Sequence, residues 1–249
     1  MGFVSDMKIL YAMAVSPVRG TDHAGRLESF YADQAADYDD FRRRLLKGRE
    51  ELFESLDPMD GAVWVDFGGG TGANLEFLPA GTIERLKKIY VVDLAESLLA
   101  VASKRIADHG WTNVETVRED ATCWVPPEGF ADVVTFSYSL TMIPDWFAAM
   151  DHAWELLRVG GKIGVVDFYL SRKFPAAGRK RHSFATRAFW PIWFSCDSVF
   201  PSAEHLPYLE HKFQLDSLTE SAARVPYHPF FWWKMPYYRF TGIKTGIQK

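Results

Sequence analysis

The feature that most limits what this chain can fold into is Asp66-Phe67-Gly68-Gly69-Gly70-Thr71-Gly72, which directly follows the apolar run Val63-Trp64-Val65. Glycines at 68, 70 and 72 let the backbone turn tightly and let a ligand lie against bare peptide. The apolar run reads as a buried strand. A helix begun after the glycines would point its N-terminal N–H groups at that ligand. Strand, glycine loop and helix together open a parallel α/β unit. The spacing fits D-x-G-x-G-x-G and, read with Ala73, also fits G-x-G-x-x-A. Glycine count alone does not separate the two patterns.

Alternation of strand and helix continues beyond the loop. A short helix ends at Pro79 to Gly81, and Ile89 to Asp93 is a second strand. Ala95 to His109 is a helix closed by Gly110. Val114 to Val117 and Asp132 to Ser137 read as the third and fourth strands, and Pro144 to Leu157 as a helix with proline near its first turn. Lys162 to Phe168 is the fifth strand; Ser217 to Val225 and Tyr237 to Ile243 look like closing strands. The expected fold is α/β: a doubly wound, mostly parallel, seven-stranded sheet with right-handed crossovers. Leu45, Leu46, Arg49, Leu52, Phe53 and Leu56 form a helical stripe stopped by Asp57-Pro58. Residues 1–56 are therefore read as an N-terminal arm and helical cap, and 57–249 as the core with an aromatic C-terminal elaboration, in one folded domain. Regularity fades after Phe168, where residues 171–190 are basic and 189–200 and 227–240 aromatic.

Composition narrows the class. Hydrophobic residues make up 48% and charged residues 24%, which suits a globular core and not a disordered chain. The formal charge of -4 gives no global positive field, so nucleic acid is not an expected partner. Two cysteines, Cys123 and Cys196, make no disulfide framework and no zinc spacing, which favours a reduced, cytoplasmic setting without a metal site. The run Ile9 to Val15 is too short to span a bilayer. It resembles a signal-peptide core, but only Lys8 is basic upstream and Asp6 opposes it. Met1-Gly2 lacks the Ser or Thr of a myristoylation signal, since Asp6 holds that place.

Three acids choose between the two loop patterns. Asp66 immediately precedes the glycines, Asp93 ends the second strand, and Glu119-Asp120-Ala121 follows the third. An acid about 20 residues past the loop holds ribose hydroxyls. Asp120 can accept an adenine amino group while the next N–H meets the ring. In this register the series resembles the motifs of class I S-adenosylmethionine-dependent methyltransferases, which have a Rossmann-like fold. The resemblance implies S-adenosyl-L-methionine as cofactor, with Asp66, Gly68, Gly70, Asp93, Leu94, Asp120, Ala121 and Ser137 around it. Tyr138, after the fourth strand, is the best active-site candidate on position; otherwise it is a half-buried tyrosine with a satisfied hydroxyl. The N-terminal helix region carries Tyr31 and Tyr38, which would lie over the cofactor as a lid or else pack as a helix stripe. Tyr31 is read as catalytic and Tyr38 as cofactor-binding, because a tyrosine face attracts a sulfonium or ammonium. Arg42 and Arg49 would hold a carboxylate or belong to a solvated face. No Asn-Pro-Pro-Tyr motif is present, which argues against exocyclic base amines as acceptors.

A narrower resemblance rests on flanking segments. Leu27-Glu28-Ser29-Phe30-Tyr31, Gln34-Ala35, Tyr38-Asp39 and Leu46-Lys47-Gly48-Arg49-Glu50 precede the loop; Pro201-Ser202-Ala203-Glu204-His205, Pro207-Tyr208-Leu209, Val225-Pro226-Tyr227 and Pro236-Tyr237-Tyr238 follow it. Over residues 26–244 this resembles the N-methyltransferase part of betaine lipid synthases. The resemblance implies trimethylation of the amine of diacylglyceryl-homoserine, with a partner aminocarboxypropyl transferase making that acceptor. A lipid acceptor would suit transient peripheral contact with a membrane. Phe189-Trp190, Trp193-Phe194 and Phe230-Phe231-Trp232-Trp233 offer an apolar surface, and Arg172 to Arg187 a basic one, unless the aromatics complete the core or a dimer contact. Phosphatidylethanolamine, a small soluble amine, a non-catalytic cofactor-binding role and dinucleotide chemistry are the alternatives.

Overall fold

The structure, a computed structural model, describes residues 24–25, 27–28, 43–194, 199–225 and 234–246. At its centre is a seven-stranded sheet of order β3-β2-β1-β4-β5-β7-β6. The strands are β1 (Val63–Phe67), β2 (Lys88–Asp93), β3 (Val114–Arg118), β4 (Ala131–Ser137), β5 (Leu157–Phe168), β6 (Gln214–Arg224) and β7 (Lys234–Ile243). The first five run parallel; β7 inserts antiparallel between β5 and β6. The helices are α1 (Arg49–Ser55), α2 (Thr82–Arg85), α3 (Glu96–His109), α4 (Trp146–Leu156), α5 (Phe184–Phe194) and α6 (His205–Lys212).

Strand periodicity sorts β1 onto two faces. Val63, Val65 and Phe67 join Val134, Phe136, Met150, Trp154 and Phe240 in one apolar layer. Trp64 joins Leu52, Phe53, Leu75, Val133 and Val166 in the other. Every residue of β1 is buried, as expected for a central parallel strand covered on both sides. Phe53 stacks on Trp64 at 5.6 Å, fastening α1 to the sheet.

Two expectations need correction. The glycine loop leads into a five-residue 3-10 turn, Ala73–Phe77, and not into an α-helix aimed at the ligand. Only six residues separate Gly72 from Pro79, and Asn74 is drawn inward, so the segment cannot wind a regular helix. Beyond Phe168 the chain is more regular than its composition suggests. It forms α5 and α6, of which α5 carries a single charge, Arg187, and so shows no polar–apolar period.

The wall between β4 and α4 is fixed from below by Asp167, fully buried near the end of β5. Thr141 donates its hydroxyl at 2.8 Å and its N–H at 3.1 Å to that carboxyl, and Phe168 donates its N–H at 2.7 Å. Burial pushes the carboxyl up from the usual 3.8 to about 7, against the pull of those donors. A group raised in this way stabilises the fold fully below the unfolded value and loses that contribution as pH rises through the folded one. Relative to Asp167→Asn, the wild type should lose stability from about pH 4 to about pH 7, on the order of 4 kcal/mol in all, and then level off. Urea denaturation of both proteins across pH checks this; a constant difference would contradict it.

Candidate active site

The C-terminal ends of β1, β2, β3 and β4 surround a cavity of about 260 Å³. Its floor is Gly68, its polar wall Asp93, Glu119, Asp120 and Thr122, and its apolar wall Val92, Leu94, Leu98 and Ala121. Tyr138, Ser139, Met142, Ile143, Pro144 and Asp145 close the far side, and Leu27 closes the mouth. This is where an open α/β sheet binds ligands.

Gly68 is held at φ 66, and a Cβ there would lie 2.3 Å from the Cβ of Ser139. Only glycine fits that approach. Ser139 in turn donates its hydroxyl to the Phe67 carbonyl at 2.9 Å. Asp93 accepts the Gly70 N–H at 2.9 Å and the Ala95 N–H at 2.9 Å, which locks its carboxylate at the cleft. A carboxylate offers about four acceptor positions, and one held at the cleft in this way is the kind of group that accepts ribose hydroxyls. Asp120 accepts the N–H and hydroxyl of Thr122, both at 2.8 Å and both on Oδ1, so Oδ2 takes no donor among the described residues. The adenine amino group needs such an acceptor. A glycine floor that a Cβ would fill, two anchored carboxylates and an apolar wall suit S-adenosylmethionine.

Other expected site residues lie beneath the cleft. Asp66 is fully buried and does not line it. Its carboxylate accepts the Thr135 hydroxyl at 2.6 Å and the Asn74 amide at 3.2 Å. Arg49 is buried too, donating to Asn74 Oδ1 at 3.2 Å and to the Leu46 carbonyl at 3.3 Å, with Phe77 under its guanidinium. Ser137 is buried with its hydroxyl 3.4 Å from the same Asn74 oxygen. Gly70 reaches the cleft through its N–H on Asp93, not as a lining residue. The Asp66, Arg49 and Ser137 side chains meet at Asn74 and support the glycine loop through it. Leu94 and Ala121 do line the cleft. Tyr31, Tyr38 and Arg42 lie outside the described residues. Nearby, Leu27 faces the cleft and Glu28 accepts the Ser97 N–H at 3.2 Å, at the start of α3.

Tyr138 sits at φ 55, a left-handed conformation that costs a bulky residue energy and that recurs at functional sites. Its N–H donates to the Val166 carbonyl at 2.7 Å and its hydroxyl to the Lys47 carbonyl at 2.6 Å. Burial, reinforced by the Asp167 charge, pushes that hydroxyl well above the usual tyrosine range, so it acts as a neutral donor and not a base. Asn74 was not legible in the sequence, where nothing sets it apart from Glu76, the other polar residue of the turn. Met142 and Ile143, in the stretch after the fourth strand, were given no role of their own, and Pro144 and Asp145 were read as the start of a helix.

Fold and site together define a class I S-adenosylmethionine-dependent methyltransferase, with S-adenosyl-L-methionine as cofactor. The sequence pattern of the ubiE/COQ5 methyltransferase family matches residues 43–184, and the chain belongs to that family. It is 28% identical over 105 residues to the ubiquinone/menaquinone biosynthesis C-methyltransferase UbiE of Francisella tularensis subsp. novicida, covering 42% of each chain. It is 24% identical over 121 residues to the demethylmenaquinone methyltransferase of Geobacillus sp., covering 49% of this chain and 51% of that one. The matched stretch thus spans about half the length of these curated relatives. Among solved structures, phosphoethanolamine N-methyltransferase 2 of Haemonchus contortus with S-adenosyl-L-methionine superposes with a TM-score of 0.66 at 14% identity, over 92% of this chain and 61% of that one. A SAM-dependent methyltransferase from Aquifex aeolicus superposes at 0.56 with 14% identity, over 85% and 98%. These likenesses show the fold.

Asp93→Ala removes a charged acceptor from the cleft and leaves the Gly70 N–H without it. Calorimetric titration with S-adenosylhomocysteine should show affinity about 10- to 100-fold weaker, the range for a hydrogen bond to a charged group. Wild-type affinity would refute the role given to Asp93.

Proposed function

We propose that this chain is an N-methyltransferase that trimethylates the amine of diacylglyceryl-homoserine in betaine lipid synthesis. The observation that carries the amine reading is the charge of the cleft. Among the described residues four carboxylates line it, Asp93, Glu119, Asp120 and Asp145, and no Lys, Arg or His does. An amine that begins as an ammonium and ends, after the third round, as a fixed quaternary ammonium is drawn to such a lining. Asp93 and Asp120 serve the cofactor in this reading, and Glu119 and Asp145 remain for the acceptor. The flanking segments that resemble betaine lipid synthases supply the narrower choice of amine.

S-adenosylmethionine supplies an electrophilic sulfonium methyl. The chain's own part is alignment and exclusion of water. Gly68 and the two carboxylates fix one end of the cleft. Tyr138, pinned in its strained conformation, fixes the other. Since no His or Lys lines the cleft among the described residues, the amine sheds its proton to solvent before attack, and turnover should rise with pH until the amine has titrated. A separate aminocarboxypropyl transferase would make the acceptor.

Kinship to the UbiE C-methyltransferase and the demethylmenaquinone methyltransferase favours a second reading, methylation at a quinone ring carbon. Purified protein would be incubated with radiolabelled methyl donor and, separately, diacylglyceryl-homoserine, phosphatidylethanolamine, a soluble amine and a demethylated quinol. Label in mono-, di- and trimethylated diacylglyceryl-homoserine is the expected result. Label in the quinol alone would replace the amine reading with the second one.

A further inference from the structure

The outer side of α5 is as apolar as its inner side. Inward, Trp190 and Phe194 stack on each other at 5.7 Å, Phe194 stacks on Phe168 at 5.3 Å, and Phe168 meets the Tyr138 ring edge-on at 4.6 Å. Outward, Phe184 is 78% exposed and Ile192 73%. Phe174, in the loop before the helix, is 74% exposed, and Phe200, after it, 62%. Large apolar side chains exposed this far, on one helix and the segments that flank it, mark an interaction surface.

Charge says what kind. Most of the basic residues of the preceding loop are committed to carboxylates or carbonyls of the fold: Arg172 to Glu204, Arg179 to Glu210, Lys180 to the Glu220 carbonyl. Two are not. Lys173 Nζ lies 5.4 Å and Arg181 Cζ 5.8 Å from the centre of the exposed Phe174 ring, and neither forms an ion pair among the described residues. Two uncommitted cations flanking an exposed phenylalanine, on a chain whose formal charge is -4, make a local attraction for an anionic surface that the whole molecule does not have. No helix among the described residues is long and apolar enough to cross a membrane, so the contact would be at the interface.

The surface also adjoins the cleft. The Phe200 N–H donates to the Thr141 carbonyl at 2.7 Å, on the loop whose next residues, Met142 to Asp145, form the cleft wall. The inner face of α5 reaches Tyr138 through Phe168.

We infer that the outer face of α5, with Phe174, Phe184, Ile192, Lys173 and Arg181, docks on an anionic phospholipid bilayer beside the wall of the active-site cleft. This inference deepens the lipid-acceptor reading and rests on it for its purpose. Phenylalanines enter the headgroup layer while the two cations meet lipid phosphates.

Co-sedimentation of the intact chain with vesicles, without methyl donor or acceptor, tests it. Wild type should bind phosphatidylcholine vesicles containing phosphatidylglycerol and bind pure phosphatidylcholine weakly. Lys173→Glu with Arg181→Glu should weaken binding to the anionic vesicles about 30-fold or more, at about 1 kcal/mol per basic residue. Phe174→Ser with Phe184→Ser should weaken it by at least as much. None of these residues lines the cleft, so S-adenosylhomocysteine affinity should stay at wild-type level and report that each variant is folded. Absence of wild-type binding to anionic vesicles, or equal binding by both variants, would overturn the inference. So would a dimer that the phenylalanine variant converts to monomer while vesicle binding is unaltered, since the face would then join two copies. Vesicle binding as expected without methylation of diacylglyceryl-homoserine would uphold the docking surface and sink the proposed acceptor.

Discussion

Asp66 is a carboxylate in the centre of the sheet, and its partners govern the rest. A buried charge is tolerated only when it is paired and hydrogen-bonded. Thr135 reaches it from β4, Asn74 reaches it from the turn after the glycines, and Trp64 Nε1 closes the chain by donating to Thr135 at 2.9 Å. Arg49 extends the network to α1 through the other end of Asn74. One polar network thus ties two strands, the glycine loop and the N-terminal helix into a single geometry. Removing any partner would leave a buried donor or acceptor unmet, at about 1–3 kcal/mol each.

The cleft follows from that anchoring. With the end of β1 fixed, Gly68 can press against Ser139 and hold φ 66, and its neighbour Gly70 can turn its N–H onto Asp93. On the far side, the strained Tyr138 and the buried Asp167 do for the β4 loop what Asn74 does for the glycine loop. Each takes a backbone that would otherwise move and holds it by a side chain: Tyr138 by the Lys47 carbonyl, Asp167 by Thr141. Residues the ligand never meets set the shape it meets.

The sequence made the sheet legible because its central strands are apolar runs, while β5, β6 and β7 begin three to five residues before the expected positions, at Leu157, Gln214 and Lys234. Asp93, Asp120, Leu94 and Ala121 were also legible, since a strand end plus a fixed spacing puts them at the cleft. Asp66 was assigned to the ligand from its place before the glycines and Arg49 as a holder of a carboxylate; the sequence did not show that both are buried and share Asn74 as a partner. The 3-10 turn was read as a helix because helical spacing over so few residues cannot be told from a single tight turn. The α5 helix stayed hidden for the opposite reason, as an apolar outer face erases the period by which helices are recognised.

The most direct test of this account is the affinity of Thr135→Val for S-adenosylhomocysteine, measured by calorimetry. Thr135 is fully buried and does not line the cleft, and valine keeps its shape while withdrawing both the hydrogen bond to Asp66 and the acceptor for Trp64 Nε1. The account expects binding about tenfold weaker, the order of one hydrogen bond to a buried charge, with the circular dichroism of the wild type retained. Wild-type affinity in a folded Thr135→Val protein would contradict it, because the glycine loop would then hold its shape without the network beneath it.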